Sequence, residues 1–431
     1  MKGIIKKVVL YLGVAFLAFI ATVVLCAGFL FFYRDGNIFG FKYIKEKEIL
    51  YAYADEYWDI EKINIVGKDF PINIQISSNV EVVAGALRNN VYGYTRTSYA
   101  PASFDMAYDE HEKMITFDVT EPKGWLARNG STVEIVLPEN YVDKAPQIIA
   151  TSNKGKITVG NDTKMSVSNL ELSSSKGDIK FGRVLLSGDL TVDIGSGEAF
   201  IDKSVASEEN IDCYIKVGSG ALGINNIEDS LKIDSINILK NRVGEIYFKT
   251  AQRLLGDIDG GGIIKCDKVE TVDFKSRDTD VEIGTISGVL KSRIQISGRG
   301  KVEVGEASAL LEVEGCDGSV NIKSALNELV VATNNGNVTI AQASRLVSAT
   351  TDEGDVKIKF SQGVGDYTEG VLNVRCVHVA TKNGNVVVDG LQNGTVTVDG
   401  KGRVSLNYNR VVGKSNINCG NGIFLALKFL K

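Results

Sequence analysis

The sequence predicts an all-β protein, a right-handed parallel β-helix or β-solenoid, preceded by one N-terminal transmembrane helix. Three observations predict it. A turn phrase typified by "TNNGNVTI" at 333–340 recurs as "NKGKITV" near 153, "SKGDIKF" near 175, "DEGDVKI" near 352 and "KNGNVVV" near 382. Proline disappears after Pro146, and a single uncharged apolar run occupies residues 8–33. The chain divides into a cytoplasmic stub and transmembrane helix (1–34), a juxtamembrane segment and β-rich N-terminal cap (35–147), and a β-solenoid repeat domain (148–431).

The first element is the membrane helix. From Val8 to Tyr33 there are 26 residues without a charge, bracketed by Lys6 and Lys7 before and Arg34 and Asp35 after. A helix rising about 1.5 Å per residue crosses the ~30 Å hydrocarbon core in about 20 residues, so this run spans with some tilt. Cleavable signal sequences have an apolar region of about 7 to 15 residues and a small-residue exit, which is missing here. Bulky Leu25 before Cys26 also makes a poor lipoprotein site, so an uncleaved anchor is expected. Lys2, Lys6 and Lys7 put the N-terminus in the cytoplasm by the positive-inside rule and the remainder outside. Without those lysines, Arg34 and Asp35, 44 basic and 52 acidic side chains remain, a net −8 that anionic lipid would repel.

Residues 35–147 contain all five prolines, Pro71, Pro101, Pro122, Pro138 and Pro146. "YIKEKEILYAYADEYW" reads as a juxtamembrane helix. "IEKINIVGKDFPINIQIS", "MITFDVTEP" and "STVEIVLPENYV" read as strands interrupted by proline. A solenoid needs its open core covered at the end, because unpaired strand groups invite aggregation, and this segment is placed to cover it.

The solenoid itself follows from the turn glycines Gly155, Gly177, Gly197, Gly220, Gly244, Gly262, Gly300, Gly318, Gly336 and Gly354. "DTDVEIG" near 280, which has no glycine at its turn, fills the gap in the series, and the last three steps are 18 residues each. After each turn comes an alternating run such as "VEVG", "VNIKS" or "VTIAQ", with aliphatics on one face and polar residues on the other, which is a half-buried strand. A second apolar run lies between turns, for example "VSNLELSS", "LNELVVAT" and "GVLNVRCVHVAT". Units this small cannot bury an apolar face alone, but stacked units share one core. Proline would break such ladders, which fits its absence from 147 to 431. Glycine and asparagine at the corners are expected to supply positive φ. The final "GIFLALKFLK" is either a closing strand or a contact for a partner. Several β-sandwiches would need linkers, and a propeller would show a period near ~40 to 50 residues; neither is present.

Composition excludes some functions. The net charge is −5 and no basic cluster lies beyond the N-terminus, so nucleic acid is not an expected partner. Cys26, Cys213, Cys266, Cys316, Cys376 and Cys419 form no CxxC pair, which is poor spacing for a metal site. Small apolar thiols at inward positions are expected in preference to disulfides.

Candidate chemistry is sparse. His111 lies in the polar "YDEHEK" and reads as a solvated surface residue. His378 shares strand parity with Cys376, but no third orienting group accompanies them for nucleophilic catalysis. Parallel β-helices include glycan-cleaving enzymes with clustered carboxylates. Asp178, Asp189, Asp193, Asp257, Asp259, Asp280, Asp317 and Asp355 are the candidates here. Most stand beside a turn glycine, where an Asp side chain caps its own backbone. "GDIDGGG" at 256–262 resembles a single calcium-binding turn without the repeat that would support it. "GSGEAF" and "GSGALG" precede strands, not helices, so they are not nucleotide loops. No catalytic, cofactor-binding or metal residue is expected.

The N-terminal anchor, "STVEIVLPENYV", "IIATSNKGKITVG" and the repeated "GDIKF", "GNVTI" and "GDVKI" phrases resemble the putative adhesin domain family of bacterial envelope proteins. The resemblance covers roughly residues 60 to 425. It implies a glycine-punctuated β-solenoid, an envelope setting and a binding or structural role, and brings no catalytic residues with it. The expected function is a membrane-anchored, extracellular, non-enzymatic binding, adhesion or structural module. Its expected partners are the bilayer through residues 8–33 and cell-wall glycan, a host surface or another membrane protein. Alternatives are a sensor or regulatory partner in envelope stress and a glycan-cleaving β-helix enzyme.

Overall fold

The computed structural model describes residues 2–33, 37–38, 41–42, 48–55, 58–67, 71–76, 91–97, 103–120, 132–137, 141–226, 230–360, 367–368, 371–372, 376–391, 393–398, 402–408, 416–418 and 423–428. A helix over Lys2–Tyr33 comes first, and its stretch Val9–Ala27 is long and apolar enough to cross a membrane. The rest of the described chain is mostly β, wound into a β-solenoid of about 11 turns.

Coil-on-coil stacking is parallel, as the alternation predicts. Val302–Ala307 pairs with Val320–Ala325, which pairs with Val338–Ala343, which pairs with Val356–Phe360, each in parallel register. Equivalent positions therefore form columns. Val281, Val302, Val320, Val338, Val356, Val386 and Val404 make one, and Ile283, Val304, Ile322, Ile340, Ile358, Val388 and Leu406 the next. Every side chain in both columns is buried. β-branched residues suit this place because a stiff side chain packs well on a pleated surface. Each burial stabilises by about 1.5–3 kcal/mol relative to exposure. A facing sheet supplies the other wall through columns such as Leu190, Cys213 and Ile236. These two sheets enclose one dry core, and the strand residues between the inward ones point to solvent.

Repeat length decides whether a third side exists. Early coils, with turn glycines 20 to 24 residues apart, have room for a short third sheet of Met165–Val167, Val184–Leu186 and Val205–Ser207. Coils of 18 residues close that side with a turn, as at 308–310 and 326–328.

At the corners the structure corrects the expected role of glycine. Among the described residues, only Gly262 in the turn-glycine series has positive φ (98°), and no Asn or Asp has it. Close approach is the cause. A Cβ at Gly336 would meet the carbonyl oxygen of Gly318 at an impossibly short separation, and Gly177, Gly197, Gly220, Gly318 and Gly354 meet the preceding corner in the same way. The glycines are selected by the coil beneath, not by their own dihedral angles. Three residues earlier stands a buried hydroxyl or amide that satisfies the corner. Ser174 Oγ accepts from Gly177 N at 2.9 Å and donates to Gly177 O at 2.7 Å, Asn241 Oδ1 accepts from Gly244 N at 3.0 Å, and Thr333 Oγ1 donates to Gly336 O at 3.2 Å. Backbone groups that would be orphaned inside the wall are thereby paired.

The N-terminal end is wound out of sequence order. Lys62–Val66 and Ile72–Ile76 pair in parallel with Gln147–Ser152 and Ile157–Val159 on one side. Their other side takes Met114–Thr120 and Thr132–Leu137, also parallel. Direction then reverses: Ser103–Asp109 runs antiparallel on Met114–Thr120, and Tyr92–Thr97 antiparallel on Thr132–Leu137. Glu48–Tyr53 is a strand on Tyr92–Thr97, so the helix expected across 43–58 is not formed there. Its "EILYAY" is rich in the aliphatic and aromatic residues that suit a strand and an antiparallel edge was available, which outweighs the local helical preference of the charged residues before it. Trp58 stacks on Tyr108 at 4.7 Å over this end, and Lys113 bridges Asp59 at 2.8 Å and Glu61 at 2.6 Å. At the other end Ile423–Lys428 pairs in parallel with Arg403–Tyr408.

Gly336→Ala is expected to destabilise the fold by about 1–3 kcal/mol through overpacking, read as a lower midpoint in thermal or denaturant unfolding. Gln342→Ala, at an exposed position of the same coil, should change stability by less than about 0.5 kcal/mol. Equal midpoints for the two variants would contradict the close-approach account.

Candidate functional site

The residues singled out for chemistry are not brought together. His111 sits in the exposed turn after Asp109, whose Oδ1 accepts from His111 N at 2.9 Å and Glu112 N at 3.1 Å. His378 lies on the distant strand Cys376–Asn383, paired with Ser348 and Thr395, with its side chain exposed between buried Val377 and Val379. The side chain of Cys376 lies outside the described residues, as do those of Cys316 and Cys419.

Each of the eight candidate aspartates has a structural partner. Asp178, Asp280 and Asp355 accept, through Oδ1, from the backbone N–H of Glu198 at 3.1 Å, Lys301 at 2.8 Å and Asn385 at 2.7 Å. They cap the next coil, not their own turn as expected, because the parallel register places that N–H directly above the carboxylate. Asp189 accepts from Asp212 N at 3.3 Å and Asp317 from Asn335 Nδ2 at 3.1 Å. Asp193 faces Lys216 at 4.0 Å, Asp257 faces Lys275 at 3.7 Å and Asp259 faces Arg277 at 3.8 Å. The two aspartates of "GDIDGGG" thus oppose separate cations. Among the described residues no group of three or more His, Cys, Asp or Glu could hold a metal ion.

What does converge is an outward column that the sequence reading did not single out. Lys180, Phe200, Gly223 and Tyr247 are successive partners on the outer face of one sheet. Neighbouring strands lie about 4.8 Å apart, so Phe200 and Tyr247 stand ~10 Å apart along the axis. Phe200 is 56% exposed although Ala199 and Ile201 on either side are buried. Its ring lies over Gly223, with Cδ2 2.9 Å from where a Cβ would be. Tyr247 donates from its hydroxyl to Asp267 Oδ2 at 3.4 Å, and burial, then the charge of Asp267, holds that hydroxyl above its ordinary pKa.

Two grooves follow this column. One, of about 280 Å³, is lined by Phe181, Phe200, Lys180 and three carboxylates. The other, of about 370 Å³, runs from Tyr247 across Gly284 and Gly305 to Asn321 and Lys323. Gly284 and Gly305 form its floor for the same reason that corners are glycine: a Cβ at either would strike the carbonyl of the coil before it. On its rim Lys265 meets Glu282 at 3.3 Å, and Lys301 bonds Glu303 and holds that carboxyl below its usual range. The arrangement combines flat apolar rings with hydroxyl, amide and carboxylate groups, which suits binding; it aligns no nucleophile with a base.

Residues 60–237 match the family model described as Toastrack DUF4097, less than half of the chain. Two solved structures are similar to it. A putative cell adhesion protein from Clostridium sporogenes shares 11% identity at a TM-score of 0.21, over 67% of this chain and 100% of its own. A putative adhesin from Parabacteroides distasonis shares 10% identity at a TM-score of 0.20, over 89% of this chain and 98% of its own. No curated protein matches the chain. The resemblance to an adhesin-like family is borne out.

Cys213 and Cys266 are free and buried, and burial raises both thiols well above their usual range. A polar maleimide at neutral pH is therefore expected to leave both unlabelled in the folded protein and to label both after denaturation. Peptide mass mapping that finds either one modified in the native state would contradict their inward placement.

Proposed function

We propose, from the adhesin-like family resemblance and the geometry of the outer face, that this chain is a non-enzymatic binding or adhesion module. The helix Lys2–Tyr33 holds it in a bacterial cell membrane, N-terminus inside, and the solenoid stands outside the cell as part of the envelope. Residues 35–147 serve as its juxtamembrane and cap segment, and 148–431 as the repeat domain that presents the binding surface. One observation carries the non-enzymatic reading: all eight candidate aspartates are engaged in hydrogen bonds or ion pairs, none of them pointed together at a common site.

The anchor is supported by arithmetic. A helix of 32 residues is ~48 Å long, longer than the ~30 Å hydrocarbon core. Repeat architecture supports the binding role, since stacked coils grow a long, rigid outer face at constant cross-section without a larger core.

The reading is tested on intact cells expressing the full chain with an N-terminal tag. Added protease is expected to remove the solenoid while the tag stays protected and in the membrane fraction. A tag released from the solenoid by processing would replace the anchor with a cleaved leader. A solenoid digested only after lysis would overturn the orientation. Display of the chain is also expected to raise retention of these cells on purified envelope material or on host cells, and unchanged retention would overturn the adhesion reading.

A further inference from the structure

We infer that the outer face from Lys180 to Lys323 is a carbohydrate-binding trough, with Phe200 and Tyr247 as stacking platforms for the rings of an uncharged polysaccharide. This rests on the binding-module reading and names its ligand class and site.

The distribution of aromatics is the first argument. Residues 148–360 contain seven aromatic side chains, and Phe248, Phe274 and Phe360 are buried in the core. Of the four remaining, Phe181 is half-buried against the core at the edge of one groove, and Phe200 and Tyr247 project outward beside the two grooves on one sheet face. No aromatic projects outward from 281 to 360, where the outward positions of the same sheet are residues such as Glu303, Asn321, Thr339 and Lys357. A scaffold needs no exposed phenylalanine, and its burial elsewhere would be favourable by about 1.5–3 kcal/mol. Aromatic rings exposed beside polar groups in a concave site are a common feature of binding surfaces.

The polar groups choose among ligands. Stacking platforms also suit unpaired nucleic-acid bases, but those sites require a positively charged groove. Here six carboxylates and three lysines line the two grooves, which disfavours any polyanion. A cationic peptide is disfavoured for a different reason: the carboxylates are largely engaged already. Asp178 caps Glu198 N, Glu282 meets Lys265, Glu303 bonds Lys301, and Asp267 accepts from Tyr247. Lysines offset the charge of Glu282 and Glu303, and neutral donors hold Asp178 and Asp267 in place, while remaining lone pairs can still accept hydroxyl hydrogens. Sugars match this set, because a pyranose has an apolar C–H face for the ring and hydroxyls at its edge for carboxylate, amide and lysine groups. An extended glycan laid along the solenoid axis would also advance by a length similar to the ~4.8 Å rung repeat. Gly284 and Gly305 leave the floor of the second groove without side chains.

The test uses the full-length protein in detergent micelles, with immobilised chitin, cellulose and mannan as neutral probes, polygalacturonate as the anionic probe and a lysine-rich peptide as the cationic one. Capture by at least one neutral polysaccharide is expected, competed by its soluble oligosaccharide. Phe200→Ala and Tyr247→Ala are each expected to weaken it roughly tenfold or more. Both side chains face outward, so their thermal midpoints should stay at the parent value, and a variant that falls is replaced by Phe200→Leu or Tyr247→Leu. No capture by any neutral polysaccharide, or capture only of the anionic or cationic probe, overturns the proposal. So does neutral capture that both aromatic variants leave intact. In those cases, retention of displaying cells on envelope or host material keeps the binding-module reading standing; its loss as well overturns both.

Discussion

One distance governs this molecule: parallel coils lie about 4.8 Å apart, and at a corner the chain must turn without lifting off the coil below. At that point the carbonyl of one corner occupies the space that the Cβ of the next would need. Glycine is the residue that fits, and a Ser, Thr or Asn three positions earlier pairs the backbone groups left inside the bend. The aliphatic columns depend on this. Were a corner to lift, Val320 would lose register with Val302 and Val338, and a slip of one residue would turn the whole inward set to solvent.

The same parallel register makes the polar positions cooperative. An aspartate or asparagine after the corner glycine reaches the N–H of the equivalent residue one coil on, as Asn337 does to Asp355 at 2.8 Å and Asn385 to Arg403 at 3.1 Å. Such a ladder has a direction, and it cannot continue past a strand that runs the other way. The antiparallel strands Ser103–Asp109 and Tyr92–Thr97 therefore end the ladder at the N-terminal side and leave no same-direction rung there for another chain to extend.

Much of this was legible in the sequence, because turn phrase, alternation and proline absence are local signals repeated many times. Parallel coils, the apolar columns, the inward Cys213 and Cys266, and the structural use of the aspartates all follow from it. The reason for the glycines was not legible, since positive φ and close approach leave the same letter in the sequence. Nor was the winding order of 62–137 legible: whether Met114–Thr120 stacks above or below Lys62–Val66 depends on long-range pairing that no window of residues records. The strand Glu48–Tyr53 shows the related difficulty, a short run whose partner strand, Tyr92–Thr97, lies far along the chain. The aromatic column was invisible for a simpler reason. Phe200, Gly223 and Tyr247 are 23 and 24 residues apart, and they become neighbours only once each repeat is aligned on its corner.

A repeat scaffold separates structure from function in a way that a single-core domain does not. Every coil must satisfy the same inward demands, so inward columns are uniform and carry little information about any one coil. Outward columns are free, and in most coils they hold residues that serve solubility or the ladder. Phe200 sits at a position occupied by Lys180 on one side and Gly223 on the other, and Gly284 and Gly305 hollow the face where neighbouring coils carry Asp267 and Lys323. These departures are contiguous in space and scattered in sequence. Close approach to the coil before accounts for the glycines, but it does not account for the exposed ring of Phe200 on the same face, and that ring is the departure that a surface shaped to meet something outside the chain would carry.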